Sequence, residues 1–271
     1  MKKIKFKVIT LFPELIESYL KDALLSKAIT DQIIDVETIN LRQFSKKKYN
    51  SVDDTVFGGG DGMLIQNQPL ELALKSIEAE TITKTGNTSL QKKIIYLSPQ
   101  GSKWNHSLAK KYNELDEIVL ICGRYAGIDQ RFIHQHVDEE ISIGDYVLSG
   151  GELAALVLIE SISRFLPGFL GDPTSADQDS FENGLLESPQ FTKPQLENGL
   201  SVPAVLLSGN HQKISEWRKY CSIFITLKKR PDLLVLRQEI DWKKVKTFYA
   251  QMDHADKVLL QILDLEFPHG S

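Results

Sequence analysis

The chain alternates short apolar runs with polar breaks that carry glycine or proline. Lys5–Phe12 interleaves lysines with apolar positions and predicts a strand; Pro13-Glu14 opens a helix through about Ile29, with Leu15, Ile16, Tyr19, Leu20, Ala23 and Leu24 at helical spacing. Ile34–Ile39 predicts the next strand, so the chain begins with a parallel βαβ unit. The same alternation predicts strands over Lys93–Leu97, Glu117–Cys122 and Ile141–Val147. Helices are predicted over Pro69–Glu78, Trp104–Tyr112, Asp129–His136 and Gly151–Phe165. Asp138-Glu139-Glu140 reads as a charged surface turn. Residues 171–183, GDPTSADQDSFEN, are polar, acidic and free of aliphatic side chains, and read as a linker. After it come a predicted strand, Val202–Leu207, and predicted helices over Gln212–Leu227, Pro231–Leu236 and Trp242–Leu265. The expected organisation is an α/β domain over 1–170, the linker, and a small, mostly helical domain over 184–271. Periodicity by itself predicts an ordinary doubly wound parallel sheet.

Three of these strands end in loops rich in Gly or Pro: Ser98-Pro99-Gln100-Gly101, Gly123-Arg124 and Gly150-Gly151. In open α/β sheets, ligands bind beyond the carboxyl ends of the strands. Glycine lets a ligand approach the main chain closely. A small-molecule site built mainly from backbone groups is expected there. Residues 42–62, RQFSKKKYNSVDDTVFGGGDG, form a long basic and then glycine-rich loop, read as a substrate-facing flap or a mobile connection. Its glycines fit neither the dinucleotide fingerprint nor a P-loop. Asp53 and Asp54 suit either a base edge or a turn cap.

Composition narrows the classes further. The 271 residues, 42% of them hydrophobic, suffice for one large domain or two modest ones. The net charge of −4 gives no whole-chain attraction for nucleic acid. Within residues 211–246, however, ten Lys and Arg stand against four Asp and Glu, the footprint of a nucleic-acid binder or of solvated helix faces. Two distant cysteines, Cys122 and Cys221, make neither a zinc site nor a disulfide scaffold and suit a reducing cytosol. His134 and His136 do not have the spacing of a metal pair on a helix. The longest apolar run, Leu153–Ile159, is too short to span a membrane.

The loops carry a resemblance. LFPE (11–14), VDDTVFGGGDGM (52–63), YLSPQG (96–101), ICGRYAGID (121–129), DEEISIGDYVLSGGEL (138–153), SRFLPG (163–168), DSFENGLLESPQFTKP (179–194) and VPAVLLSGNH (202–211) resemble the bacterial tRNA (guanine-N1)-methyltransferase family, in that family's order. The tail past about residue 236 matches little. The resemblance implies a trefoil-knotted methyltransferase domain of the SPOUT class with a small helical C-terminal domain, a homodimer, and S-adenosylmethionine as methyl donor. It implies tRNA as substrate, with methylation at N1 of the guanosine 3′ of the anticodon, and no membrane. By the same match the donor would be held by Tyr96, Leu97, Ser98, Pro99, Gln100, Gly123, Arg124, Tyr125, Ile143, Gly144, Tyr146, Leu148, Gly150 and Gly151. Asp53, Gly59, Gly60 and Ser180 would meet the RNA. Asp179 would be the general base, with Asp177 as rival, and Arg164 the key arginine. No metal ligands are expected. Ala126 stands where the family has a Glu linked to its magnesium requirement, and Gln130 where a Glu is common, so magnesium dependence is expected to be weaker.

The chemistry asks for those two side-chain types. Guanine N1 carries a proton and is a poor nucleophile until a carboxylate within hydrogen-bond reach removes it. Charge then builds on O6, which a guanidinium can stabilise. Paired or stacked guanine must be splayed out to react. Two other classes remain open from the residues: a weakened relative that binds tRNA without methylating it, and a knotted ribose 2′-O-methyltransferase. A nicotinamide dehydrogenase is disfavoured by the glycine spacing.

Overall fold

The structure, a computed structural model, describes residues 3–59, 62–77, 91–171, 179–235, 237 and 239–268. The chain splits into two compact units, Met1–Pro173 and Thr174–Ser271. The first runs β1 (Ile4–Thr10), α1 (Pro13–Leu20), α2 (Ala23–Thr30), β2 (Ile34–Asn40), the hairpin β3 (Asp53–Thr55) and β4 (Met63–Ile65), then α3 (Asn67–Ser76). It continues with β5 (Lys92–Lys103), α4 (His106–Tyr112), β6 (Glu117–Cys122), α5 (Gln130–His136), β7 (Glu139–Ser142) and α6 (Glu152–Ser163). Five strands form one sheet in the order β2-β1-β6-β5-β7, every pair parallel.

Alternation along the strands divides the core. Phe6 and Val8 of β1 and Ile118 and Leu120 of β6 face one side, where α1, α2, α4 and α6 bring Ile16, Leu25, Tyr112, Ala155 and Leu158. Ile9, Val119 and Ile121 face the other, against Leu70 and Ala73 of α3 and Phe132 of α5. A parallel sheet covered on both faces needs such near-continuous apolar strands. Each fully buried aliphatic side chain contributes about 1.5–3 kcal/mol. Lys7 is the buried charge within β1. Its Nζ donates to the Ile77 carbonyl at 2.8 Å and lies 3.2 Å from the Glu117 carboxylate, which also pairs with Lys92 at 3.0 Å. A buried ammonium is tolerated because it is paired and hydrogen-bonded.

The second unit runs β8 (Leu196–Glu197), β9 (Leu200–Ser201), α7 (Ala204–Leu207), α8 (His211–Lys229), a 3-10 turn at Pro231–Leu234, α9 (Trp242–Gln251) and α10 (His254–Leu259). Its core collects Trp217, Cys221 and Phe224 of α8, Val245 of α9, and Leu260 and Ile262 beyond α10. Aromatic pairs bind it together: Tyr220 stacks on Phe248 at 4.3 Å and Phe224 meets Tyr249 edge-on at 5.5 Å. Among the described residues no helix is long and apolar enough to cross a membrane.

Several elements differ from the sequence reading. The single helix expected from Pro13 is two, because the Asp22 carboxylate accepts the Ala23 N–H and caps a new start. Asp138-Glu139-Glu140 is not a surface turn. Glu139 and Glu140 begin β7, paired with Ile95 and Tyr96, while the Asp138 carboxylate accepts the Ile94 N–H at 2.8 Å. Burial pushes that Asp138 carboxyl above its ordinary range. The strand expected over Ile141–Val147 ends at Ser142, because the Ser142 hydroxyl bonds the Gly144 amide and carbonyl and turns the chain. The strand expected over Val202–Leu207 is the short helix α7. Pro203 begins its first turn and Val205 and Leu206 pack on the second core. The helix expected over Trp242–Leu265 breaks after Gln251, where Asp253 caps α10 through the Ala255 N–H. The 42–62 loop contains β3 and the start of the hairpin that β4 completes. Most of the expected linker, with Asp177, lies outside the described residues, as does Gly60.

Candidate active site

The site lies at the carboxyl ends of β5, β6 and β7, which are neighbours in the sheet. β5 does not stop at Leu97. It bulges through Ser98–Gly101 and resumes, so that Leu97 and Ser102 both register with Ile141 of β7. The excursion requires glycine at its return, since a Cβ on Gly101 would stand 2.3 Å from the Glu140 carbonyl carbon and 2.4 Å from the Ile141 nitrogen. The turn after β6 is tied on two sides. The Ala126 N–H donates to Met63 O and the Ile65 N–H to Gly127 O, joining it to β4. On the other side Arg124 bridges Gly150, and the Gly151 N–H donates to Gly123 O at 3.1 Å. Tyr125, at φ 59°, makes the tight reversal.

These loops enclose a cavity of about 510 Å³, within the range of small-molecule sites. Every residue matched above to the methyl donor lines it: 96–100, 123–125, Ile143, Gly144, Tyr146, Leu148, Gly150 and Gly151. Ala126 and Gln130 line it too, so neither position brings a carboxylate. Sequence reasoning missed Leu64, Ile133, Glu140 and Ser142. Leu64 and Ile133 bore no signal beyond apolar character. Glu140 was hidden in the supposed surface turn.

Arg124 and Glu140 are the charged side chains of the lining. The Arg124 Nη2 lies 2.9 Å from Glu152 Oε2, and Glu152 is 2% exposed. The Phe12 ring covers the guanidinium, 4.5 Å from its carbon to the ring centroid. Burial pushes the Tyr96 hydroxyl up, with nearby Glu140 adding to it. Burial holds the Cys122 thiol well above its ordinary value, so it stays a thiol beneath the floor. No histidine stands among the lining residues to activate Ser98, Ser142 or Ser149. The chemistry the cavity itself offers is therefore close main-chain recognition of a small molecule with one cationic and one anionic side chain. Among the described residues no group of three His, Cys, Asp or Glu could hold a metal ion.

The remaining predicted residues lie elsewhere. Asp53, in β3, accepts the Ser51 hydroxyl at 2.8 Å, and Gly59 follows at φ 79°, with nothing within 4 Å of where a Cβ would stand. Arg164 caps the C-terminus of α6 and lines a separate, mostly apolar pocket of about 220 Å³ with Trp104, His106 and Phe165. Asp179 and Ser180 belong to the second unit. There the Asp179 carbonyl accepts the Glu182 N–H, Phe181 stands at φ 78°, and the Ser180 hydroxyl accepts the Glu187 N–H at 3.1 Å. The sequence reading gave Arg164 a catalytic role apart from the donor loops, and it is not in the lining of the first-unit cavity.

A family model described as tRNA (Guanine-1)-methyltransferase TrmD matches residues 4–236. The chain is 47% identical over 238 residues to a tRNA (guanine-N(1)-)-methyltransferase of Hahella chejuensis, covering 88% of this chain and 90% of that one. It is 44% identical over 246 residues to the enzyme of that name from Alkaliphilus oremlandii, covering 91% and 97%. To the one from Clostridioides difficile it is 47% identical over 230 residues, covering 85% and 97%.

Proposed function

The chain belongs to the tRNA (guanine-1)-methyltransferase family, and from that premise we propose that it transfers a methyl group from S-adenosylmethionine to N1 of the guanosine 3′ of the anticodon in tRNA. The observation that carries the reading is the cavity of about 510 Å³ lined by all of the donor-matched residues. Its fit to the donor rests on the glycines. A Cβ at Gly123 would meet the Tyr96 hydroxyl at 2.8 Å, and one at Gly151 the Cys122 Cα at 2.8 Å, so neither position beside the cradle admits a side chain. When bound, the donor supplies a methyl group already activated on a sulfonium. The loops at 96–100, 123–125 and 143–151 would hold it, mainly by main-chain contacts. Asp179 takes the N1 proton, and Arg164 stabilises the charge that then develops on O6.

A second copy of the chain completes this site. Arg164 and Gly151 cap opposite ends of α6, roughly 20 Å apart at 1.5 Å per residue, too far for one guanidinium to serve the cavity of its own subunit. Leu15 and Tyr19 of α1 and Leu153 and Val157 of α6 are exposed on helices that touch each other. That apolar surface is the one we assign to the homodimer. A knotted crossing fits the close seat of Gly101 on β7 and the return of the chain from β7 to Arg124 at Gly150. The lysines and arginines of 211–246 give the helical domain its role in holding RNA. With Ala126 and Gln130 in the lining, magnesium is not essential, and activity persists in chelator.

The test is methyl transfer from labelled donor to an anticodon stem-loop with guanosine 3′ of the anticodon, followed by nucleoside digestion. Label on guanine N1 is expected; label on ribose, or none, overturns the reading. Asp179→Asn should nearly abolish turnover while leaving donor affinity unchanged. Arg164→Ala should lower turnover by about 10²-fold or more, read in the same assay.

A further inference from the structure

The T-L-F-P-E turn after β1, far from the cavity loops in sequence, is left without a role by the donor match. Its side chains nonetheless converge under the cavity. The Thr10 hydroxyl, fully buried, donates to Glu152 Oε1 at 2.8 Å and accepts the Phe12 N–H at 2.9 Å. Glu152, the first residue of α6, holds Arg124 by its other oxygen at 2.9 Å. Phe12 covers the same guanidinium from outside. Gly150 leaves room for this pair: a Cβ there would lie 2.2 Å from Arg124 Nε and 2.4 Å from Glu152 Oε2. Three separate segments therefore meet on one carboxylate. They are the end of β1, the turn after β6, and the start of α6.

We propose that Glu152 is a positioning residue: through Arg124 it fixes the Gly123–Gly127 turn in the conformation that receives the methyl donor. The inference rests on the proposed function for its ligand but not for its geometry. The guanidinium is only partly exposed, at 20% of its side chain, and Glu152 with Phe12 holds it in one place. A charge-assisted pair of this kind restrains orientation as well as adding energy. The restraint passes to the backbone because the Arg124 carbonyl accepts the Gly127 N–H at 3.0 Å and its main chain bridges Gly150. Without the carboxylate, Arg124 is released from below and the turn loses its fixed register against Gly150 and Gly151.

The experiment uses the full chain and two readouts. Hydrogen exchange, without ligand, should show the Gly127 and Gly151 amides exchanging at least tenfold faster in Glu152→Gln. Exchange at the wild-type rate overturns the proposal whether or not the protein binds the donor. S-adenosylhomocysteine affinity, by calorimetry, should fall at least tenfold in Glu152→Gln and in Arg124→Gln, with no further fall in the double variant. Losses that multiply in the double variant show that Glu152 acts independently of Arg124 and overturn the proposal. Wild-type protein that does not bind S-adenosylhomocysteine speaks against the methyltransferase reading, and the exchange result then decides this inference. If Glu152→Gln does not fold, Thr10→Val, which keeps the carboxylate but removes the hydroxyl that donates to it and accepts the Phe12 N–H, should speed exchange of the same two amides. An unchanged rate in Thr10→Val would then overturn the proposal.

Discussion

In the first unit, Gly101, Gly123, Gly150 and Gly151 each sit where a Cβ would meet another atom at less than 3 Å. In the second, Gly199 and Gly209 face nothing within 4 Å, and a Cβ at Gly184 would meet only the end of the Arg237 side chain. The first unit brings main chain too close for a side chain at Gly101 and Gly151, and fills the space at Gly123 and Gly150 with Tyr96, Arg124 and Glu152. The second makes its core from side chains, with Phe224, Tyr249, Phe248 and Phe267 packed around α8. A main-chain site admits one residue type at each close approach, whereas an apolar core accepts many combinations of similar volume. This explains why the cavity loops carry recognisable motifs while the family match stops at residue 236, before α9, α10 and half of the second core.

The contrast can be sharpened from either side. Phe224→Ala should have the largest effect on stability, about 3–5 kcal/mol for an aromatic ring removed from a fully buried position. Calorimetry should show that loss while S-adenosylhomocysteine affinity, which the proposed function assigns to the first-unit cavity, stays within about twofold of wild type. A large loss of affinity would mean the two regions are not separable. Gly101→Ala should cost less in stability, about 3 kcal/mol, because one methyl group must displace the β7 backbone. It should nevertheless abolish S-adenosylhomocysteine binding, measured by the same calorimetry, and retained binding would deny that main-chain proximity builds the site. The smallest effect should come from Asp241→Ala. This removes the cap that accepts the Lys244 N–H at the start of α9 and costs about 1 kcal/mol, read as a lowered urea midpoint.

Much of the first unit was legible because its strands are buried on both faces and therefore nearly uninterrupted in apolar character. β1, β2 and β6 fall within two residues of their expected limits, and the crevice was expected beyond the strands that in fact border it. The misreadings share a cause. At Asp138-Glu139-Glu140, charge suggests exposure, but an edge strand pairs through its backbone and tolerates acidic side chains. At Ile143–Val147, apolar character suggests a strand, but these residues line a cavity or face outward, and Val147 is 84% exposed. At Val202–Leu207 and Trp242–Leu265, local caps and a proline outweighed periodicity.

The pattern of apolar and polar positions determined the strands of the parallel sheet and the loops that carry the chemistry, because backbone hydrogen bonding and burial impose fixed periods on neighbouring residues. Only the tertiary structure decided that β5 bulges at Ser98–Gly101, that Arg164 stands at the other end of α6 from the cavity, and that Thr10, Phe12, Arg124 and Glu152 form one cluster. Those relations join residues up to 142 positions apart. Their geometry is set by how closely the sheet and its helices pack, and no local period along the chain records it.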